Sequence, residues 1–141
     1  LYGGSWAAGA MGQTRRAIVL EGYFDLIRTR EAGYREAVAC CGTALTSDHC
    51  QVFLKAAGTG VAAARKAPLE VILATDADEA GRQAAERGAQ AALRAGLRAR
   101  IASFAGGKDP DELLRDAQGA GRAIFDTSLQ NARTPLLNCL S

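Results

Sequence analysis

Lysine is nearly absent from this chain: Lys55, Lys66 and Lys108 are the only ones among 141 residues, and His49 is the sole histidine. No apolar run approaches the roughly 20 residues needed to cross a bilayer, and no signal peptide opens the chain, so a cytoplasmic location with reduced thiols is expected. The four cysteines, Cys40, Cys41, Cys50 and Cys139, contain no C-x-x-C pair. With one histidine beside Cys50, that spacing serves zinc badly and reads instead as buried free thiols. Runs of like charge are missing too. A net charge of +2 neither demands nor excludes nucleic acid, because a basic groove can be offset by acids elsewhere. What is present is the composition of a folded domain: 48% hydrophobic and 23% charged over one domain's length. Alanine and glycine are abundant and arginine outnumbers lysine, which suggests a GC-rich genome and says little about function.

Short apolar runs punctuated by glycine set the expected architecture. Ala17-Ile18-Val19-Leu20, Ala37 to Cys41, Glu70 to Thr75 and Leu97 to Phe104 read as strands. Helical patterns follow each of them. The first carries Phe24, Leu26, Ile27 and Ala32 and stops near Gly33. The second, capped by Thr46 or Ser47, carries Val52 to Leu54 and ends near Gly58. The third runs from about Glu79 to Arg94, dense in alanine and closed by Gly96; the fourth starts at Pro110. Residues 58–68 read as a loop with a helical fragment, and Leu1 to Thr14 shows no clean period. The alternation predicts an α/β fold with a parallel sheet of about four strands, flanked by helices and joined by right-handed crossovers.

Three acidic clusters then fall just after strands: Glu21 with Asp25, Asp76 with Asp78, and Asp109 with Asp111. In a parallel sheet these strand ends share one edge, where open α/β sheets bind ligands. Any one cluster alone would read as a helix cap or a first-turn acid facing the helix dipole. Paired acids at three strand ends point further, to a divalent cation shared with substrate phosphates. Gly106 and Gly107 would let a backbone approach phosphate closely.

The motifs Glu21-Gly22-Tyr23-Phe24-Asp25, Gly42-Thr43-Ala44-Leu45-Thr46, Asp76-Ala77-Asp78-Glu79-Ala80-Gly81-Arg82 and Gly107-Lys108-Asp109-Pro110-Asp111-Glu112 resemble, in unbroken order, the Toprim domain of DnaG-type bacterial primases. Leu1-Tyr2-Gly3 resembles a short motif that precedes it. The resemblance covers roughly Ala17 to Ala117. It implies a Toprim catalytic domain over 17–117, a segment 1–16 leading from an upstream subdomain, and a helical extension over 118–141. It also implies a nucleotidyltransferase of the DNA-directed RNA polymerase type, which makes short RNA primers on single-stranded DNA from nucleoside triphosphates with two or more Mg²⁺ or Mn²⁺ ions. By motif, Glu21 would be the acid near the reacting centre and Asp76 and Asp78 the principal metal ligands. Asp109 and Asp111 would complete the site, with Asp25 beside it. Lys108, Arg82, Gly22 and Thr43 would meet nucleotide or phosphate. Zinc would belong to an upstream domain, the replicative helicase would be reached through a C-terminal one, and the setting would be the bacterial replication fork.

The chain departs from the pattern at Ala77, where the family carries glycine, and in a longer stretch between Gly58 and Pro68. The family's zinc domain and basic polymerase half are also absent from these residues, so the piece can fold and bind metal without making primers by itself. Other readings stay open at this point. These are a topoisomerase or nuclease of the same fold, a module that only binds nucleic acid, and a phosphatase using Asp76 as nucleophile and Asp78 as acid. Among smaller features, Arg82 reads equally as a solvated helix residue and Thr43 as a plain turn residue. Tyr2 and Trp6 read as packing residues and His49 as a surface residue. Arg15 and Arg16 read as a solvated edge or a DNA contact.

Overall fold

Alternating side chains along four short strands decide which helices cover which face. The computed structural model describes residues 1–58, 60–75, 78–104, 109–115 and 119–136. Among them, Arg16–Leu20 (β1), Ala37–Ala39 (β2), Glu70–Ala74 (β3) and Arg98–Ala102 (β4) form one sheet in the order β2-β1-β3-β4, every pair parallel. The helices are Gly4–Thr14 (α1), Tyr23–Glu31 (α2), Ser47–Ala57 (α3), Gly60–Ala64 (α4), Glu79–Arg94 (α5), Pro110–Arg115 (α6) and Ala120–Gln130 (α7).

Ala17, Val19, Val71, Leu73, Ala99 and Ile101 point to one face and pack with Met11 of α1, Phe53 of α3 and Ala85, Ala89 and Ala92 of α5. Ile18, Leu20, Ile72, Ala74 and Ala102 point to the other and pack with Leu26 of α2, Leu113 and Leu114 of α6, and Phe125 and Leu129 of α7. Strands buried on both faces read as continuous apolar runs, as β1, β2 and β3 do, whereas β4 alternates Arg98 and Arg100 with buried Ala99 and Ile101. Alanine on the inner side of α5 lets that helix approach closely: a Cβ added at Gly88 would lie 3.0 Å from the Leu45 Cβ.

Several expectations need correction. The segment taken as aperiodic is α1. Its signal is small residues rather than large apolar ones, because α1 lies tight on α3, with a Cβ at Gly4 or Gly12 reaching Val52 or the Ala56 carbonyl at 3.3 Å. Tyr2 and Trp6 are not packed inside; they are 55% and 73% exposed. Tyr2 meets the edge of Tyr23 at 5.3 Å, and the Arg30 guanidinium stands 5.9 Å above the Trp6 ring. Arg15 and Arg16 do not form a free solvated edge; both are tied into the fold. Arg15 donates to the carbonyls of Ala67 (2.8 Å) and Ala57 (3.1 Å), and Arg16 pairs with buried Glu36 at 2.8 Å, all at the amino edge of the sheet.

The chain beyond β4 is tied back onto this frame. Phe125 stacks on Phe104 with centroids 5.4 Å apart and meets Tyr34 edge-on at 5.0 Å. Tyr34 donates its hydroxyl to Asp126, and burial first, then that bond, push its pKa well up. Arg133 bridges Ile101 through the backbone and pairs with Glu86 at 2.7 Å.

The tightest joint is at Gly121, where an added Cβ would fall 1.8 Å from the Leu113 carbonyl oxygen, whereas at exposed Gly9 it would meet nothing within 4 Å. Gly121→Ala should therefore lower unfolding free energy by about 3 kcal/mol as α6 and α7 are forced apart. Gly9→Ala, in the middle of α1, should raise it by about 0.5–1 kcal/mol. Chemical denaturation of both variants checks the pair, and equal effects would contradict the packing described.

Candidate active site

The sheet order creates a crevice where β1 and β3 lie side by side. The chain leaves β1 into α2 on one face and leaves β3 into α5 on the other, so the carboxyl ends of these strands part their connections. Ligands of open α/β sheets bind at such a switch point. Here it opens into a cavity of about 360 Å³, lined by Glu21 after β1, by Cys40, Gly42, Thr43, Ala44 and Leu45 after β2, and by Thr75, Asp78, Ala80, Gly81, Ala84 and Arg87 after β3. That volume lies at the lower end of the range for small-molecule sites.

Glu21 and Asp78 face this cavity together. Asp78 is also the N-cap of α5: its Oδ1 accepts the Gly81 N–H at 2.6 Å. The doublet's second acid thus does the ordinary capping work that paired acids seemed to argue against. Asp109 does the same for α6, accepting the Glu112 N–H at 2.8 Å. Asp76, Ala77, Gly106, Gly107 and Lys108 lie outside the described residues, as does Cys139.

The other acids are held on the α2–α6 side of the sheet. Asp25, 9% exposed, accepts the Asp111 N–H on Oδ1 at 3.0 Å. Asp111 is gripped by two guanidiniums: Arg115 reaches Oδ2 at 2.5 Å and Arg28 reaches Oδ1 at 3.2 Å. The hydrogen bond from Arg115, opposed by partial burial and then helped by Arg28, holds the Asp111 carboxyl below the usual range. The first and third acidic clusters are therefore joined directly, while Glu21 and Asp78 alone among the described acids line the cavity. Among the described residues no three potential ligands gather as a metal cluster.

Gly22 is the N-cap of α2 in an ordinary extended conformation, φ −108°, so its value is not backbone freedom. A Cβ there would stand 3.2 Å from Asp25 Oδ2, and glycine leaves that carboxylate its place. Gly42 is different: its φ of +89°, following Cys41 at +49°, lies in the left-handed region that glycine adopts freely, and it lines the cavity. Thr43 lines the cavity and donates its hydroxyl to the Cys40 carbonyl at 3.3 Å. Burial pushes the Cys40 thiol up to about 11 and raises Cys50 also, which keeps both protonated at neutral pH. His49 completes a capping box with Thr46, and burial lowers its pKa.

Arg82 does not line the cavity; it is exposed and pairs with Glu79 at 2.7 Å, a bond that holds the Glu79 carboxyl low. Arg87, which no motif singled out, does line it. Its signal was helical spacing: Ala80, Ala84 and Arg87 share one side of α5.

A match to the Toprim-like family spans residues 18–114. The chain belongs to that family. Its relatives include a DNA primase of Myxococcus xanthus, 36% identical over 115 residues. That alignment takes in 82% of this Toprim-like chain and 17% of the longer protein. Among solved structures, the RNA polymerase domain of Mycobacterium tuberculosis primase DnaG superposes with a TM-score of 0.75 at 28% identity, over 94% of this chain and 40% of that one. A DnaG primase catalytic domain bound to single-stranded DNA does so with a TM-score of 0.64 at 32% identity, over 85% of this chain and 34% of that one. The motif resemblance to DnaG-type primases thus extends to the fold and to overall sequence, and the Toprim-like assignment displaces the phosphatase reading.

The capping role of Asp78 separates structure from chemistry. Asp78→Ala should cost about 1 kcal/mol of stability, while Asp78→Asn, whose amide oxygen caps equally well, should stay within a few tenths. Thermal and chemical denaturation of the two variants measure this; equal losses would show that charge, and not the cap, is what α5 uses.

Proposed function

We propose that this domain is the Toprim part of a DnaG-type primase and takes part in joining ribonucleotides into short RNA primers on a single-stranded DNA template. The observation that carries the reading is the arrival of Glu21 and Asp78 in one cavity at the β1–β3 switch point. The relatives named DNA primase support it, as does the catalytic domain bound to single-stranded DNA. The chain spans about a sixth of the Myxococcus relative, so the whole enzyme's template, nucleoside triphosphates and replicative helicase belong to this proposal as partners of a longer protein. The division into 1–16, 17–117 and 118–141, and a bacterial cytoplasmic setting, belong to it equally.

The residues suit a hard divalent cation, Mg²⁺ or Mn²⁺, because the donors on offer are carboxylate oxygens. Glu21 and Asp78, with Asp76, would hold it, and Asp25, Asp109 and Asp111 would complete the surroundings, more than one ion being accommodated. A cation there supplies charge withdrawal from the attacking and leaving oxygens of an in-line phosphoryl displacement. In that reaction a 3′-hydroxyl gives up its proton to water as its oxygen bonds to the α-phosphorus, the bond from that phosphorus to the bridging β-phosphate oxygen breaks, and pyrophosphate leaves with the electron pair.

The chain's own contribution is position. Glu21 follows directly on the four buried residues Ala17 to Leu20 of β1, and Asp78 is held in its N-cap rotamer. Asp25 is fixed by the Asp111 amide, and Asp111 by Arg28 and Arg115. Thr43 and Gly42 wall the cleft; Lys108, by its motif, would meet phosphate, whereas Arg82 pairs with Glu79 outside the cavity.

The intact protein, given single-stranded DNA, ribonucleoside triphosphates and Mg²⁺ or Mn²⁺, should produce short oligoribonucleotides. Glu21→Gln and Asp78→Asn should each reduce that synthesis by about 100-fold or more, with Asp78→Asn melting like the parent. Product formation unaffected by either change would refute the assignment; nucleotide-independent DNA cleavage would favour a nuclease or topoisomerase.

A further inference from the structure

The cavity has acids at one end and, among the described residues lining it, a single cation: Arg87. Ala80, Gly81 and Ala84 precede it on the cavity side of α5, so no bulky group stands between Arg87 and the capped start of the helix. Nine residues separate Asp78 from Arg87, about 13 Å of helix axis, and long side chains on a helix lean back toward its N-terminus. Arg87 thus lines the same cavity as the carboxylates, one side of which is made of the small residues Ala80, Gly81 and Ala84. It is exposed, and it forms no ion pair with a described residue. Arg82, by contrast, is committed to Glu79 outside the cavity.

Phosphate oxygens entering beside Glu21 and Asp78 gain from positive charge placed further along the cavity, in addition to a divalent cation held at the acids. A guanidinium provides that charge together with a planar pair of donors that matches two phosphate oxygens. A half-open volume of about 360 Å³ has room for a small ligand such as a polyphosphate. We propose that Arg87 is a substrate-binding residue that holds the polyphosphate of a nucleoside triphosphate across this cavity. The inference rests on the primase reading for its substrate class but not for its binding test.

The test uses the intact protein and its Arg87→Ala, Arg87→Lys and Arg98→Ala variants, the last removing an exposed arginine at the opposite edge of the sheet. Binding of ATP and of inorganic triphosphate is measured with Mg²⁺ present, and binding of a thymidine oligonucleotide is measured alongside. Arg87→Ala should weaken ATP and triphosphate binding by about 10-fold or more, as expected for loss of a charge-assisted bidentate contact. Arg87→Lys should recover part of this, and Arg98→Ala should bind ATP like the parent. Oligonucleotide affinity should not move, and all melting curves should coincide. In primer synthesis, Arg87→Ala should raise KM for nucleotide by a similar factor with little change in kcat. ATP binding unchanged in Arg87→Ala, a loss confined to the oligonucleotide, or no triphosphate binding by the parent would each overturn the inference. A parent that binds ATP through Arg87 yet makes no primers would leave it standing and remove the primase reading instead.

Discussion

The parallel pairing of β1 with β3, running from Arg16 opposite Glu70 to Leu20 opposite Ala74, is the constraint on which the rest depends. It brings two strand ends to one edge while their following helices depart to opposite faces. Glu21 and the start of α5 are neighbours for that reason alone. The pairing is held by burial on both faces, since each of the two strands has four consecutive residues out of contact with solvent. Ion pairs Arg16–Glu36 and Glu70–Arg100 close the amino edge of the sheet. The acids of the candidate site lie at the opposite, carboxyl edge.

At that edge, groups that stabilise and groups that react are the same atoms or next to them. Asp78 caps a helix and lines the cavity; Asp25 anchors the α6 backbone; Asp111 is pinned by Arg28 and Arg115. Such double use makes a site rigid before any ligand arrives, because each carboxylate already has its rotamer chosen by a hydrogen bond. It also means that alanine substitutions would mix folding and function, which isosteric amides separate.

Much of the architecture was legible from local pattern. The three apolar runs, the strand from Leu97 to Phe104 in which arginines alternate with apolar residues, the alanine-dense helix closed by Gly96 and the helix begun at Pro110 follow from burial and from backbone chemistry that act within a few residues. Helix α1 was not legible, because close packing on α3 selects small residues, and glycine and alanine carry no periodic signal. Tyr2 and Trp6 misled for the opposite reason: large aromatic residues suggest a core, and nothing local reports that both sit on the outer surface.

The motifs themselves named the acids and their family resemblance, since strand, turn and carboxylate are consecutive in the chain. Which acids meet was a tertiary matter. Glu21 and Asp78 share a cavity, while Asp25 and Asp111, 86 positions apart, touch on the other side of the sheet. The choice between Arg82 and Arg87 was likewise beyond local reasoning. Five residues of helix turn one toward Glu79 and the other into the cleft, and only the packing of α5 against the sheet says which direction is inward. Sequence determined the elements other than α1 and the chemistry they carry, because those depend on neighbours along the chain. The fold alone decided their partners, because charge and contact act across space without regard to sequence distance.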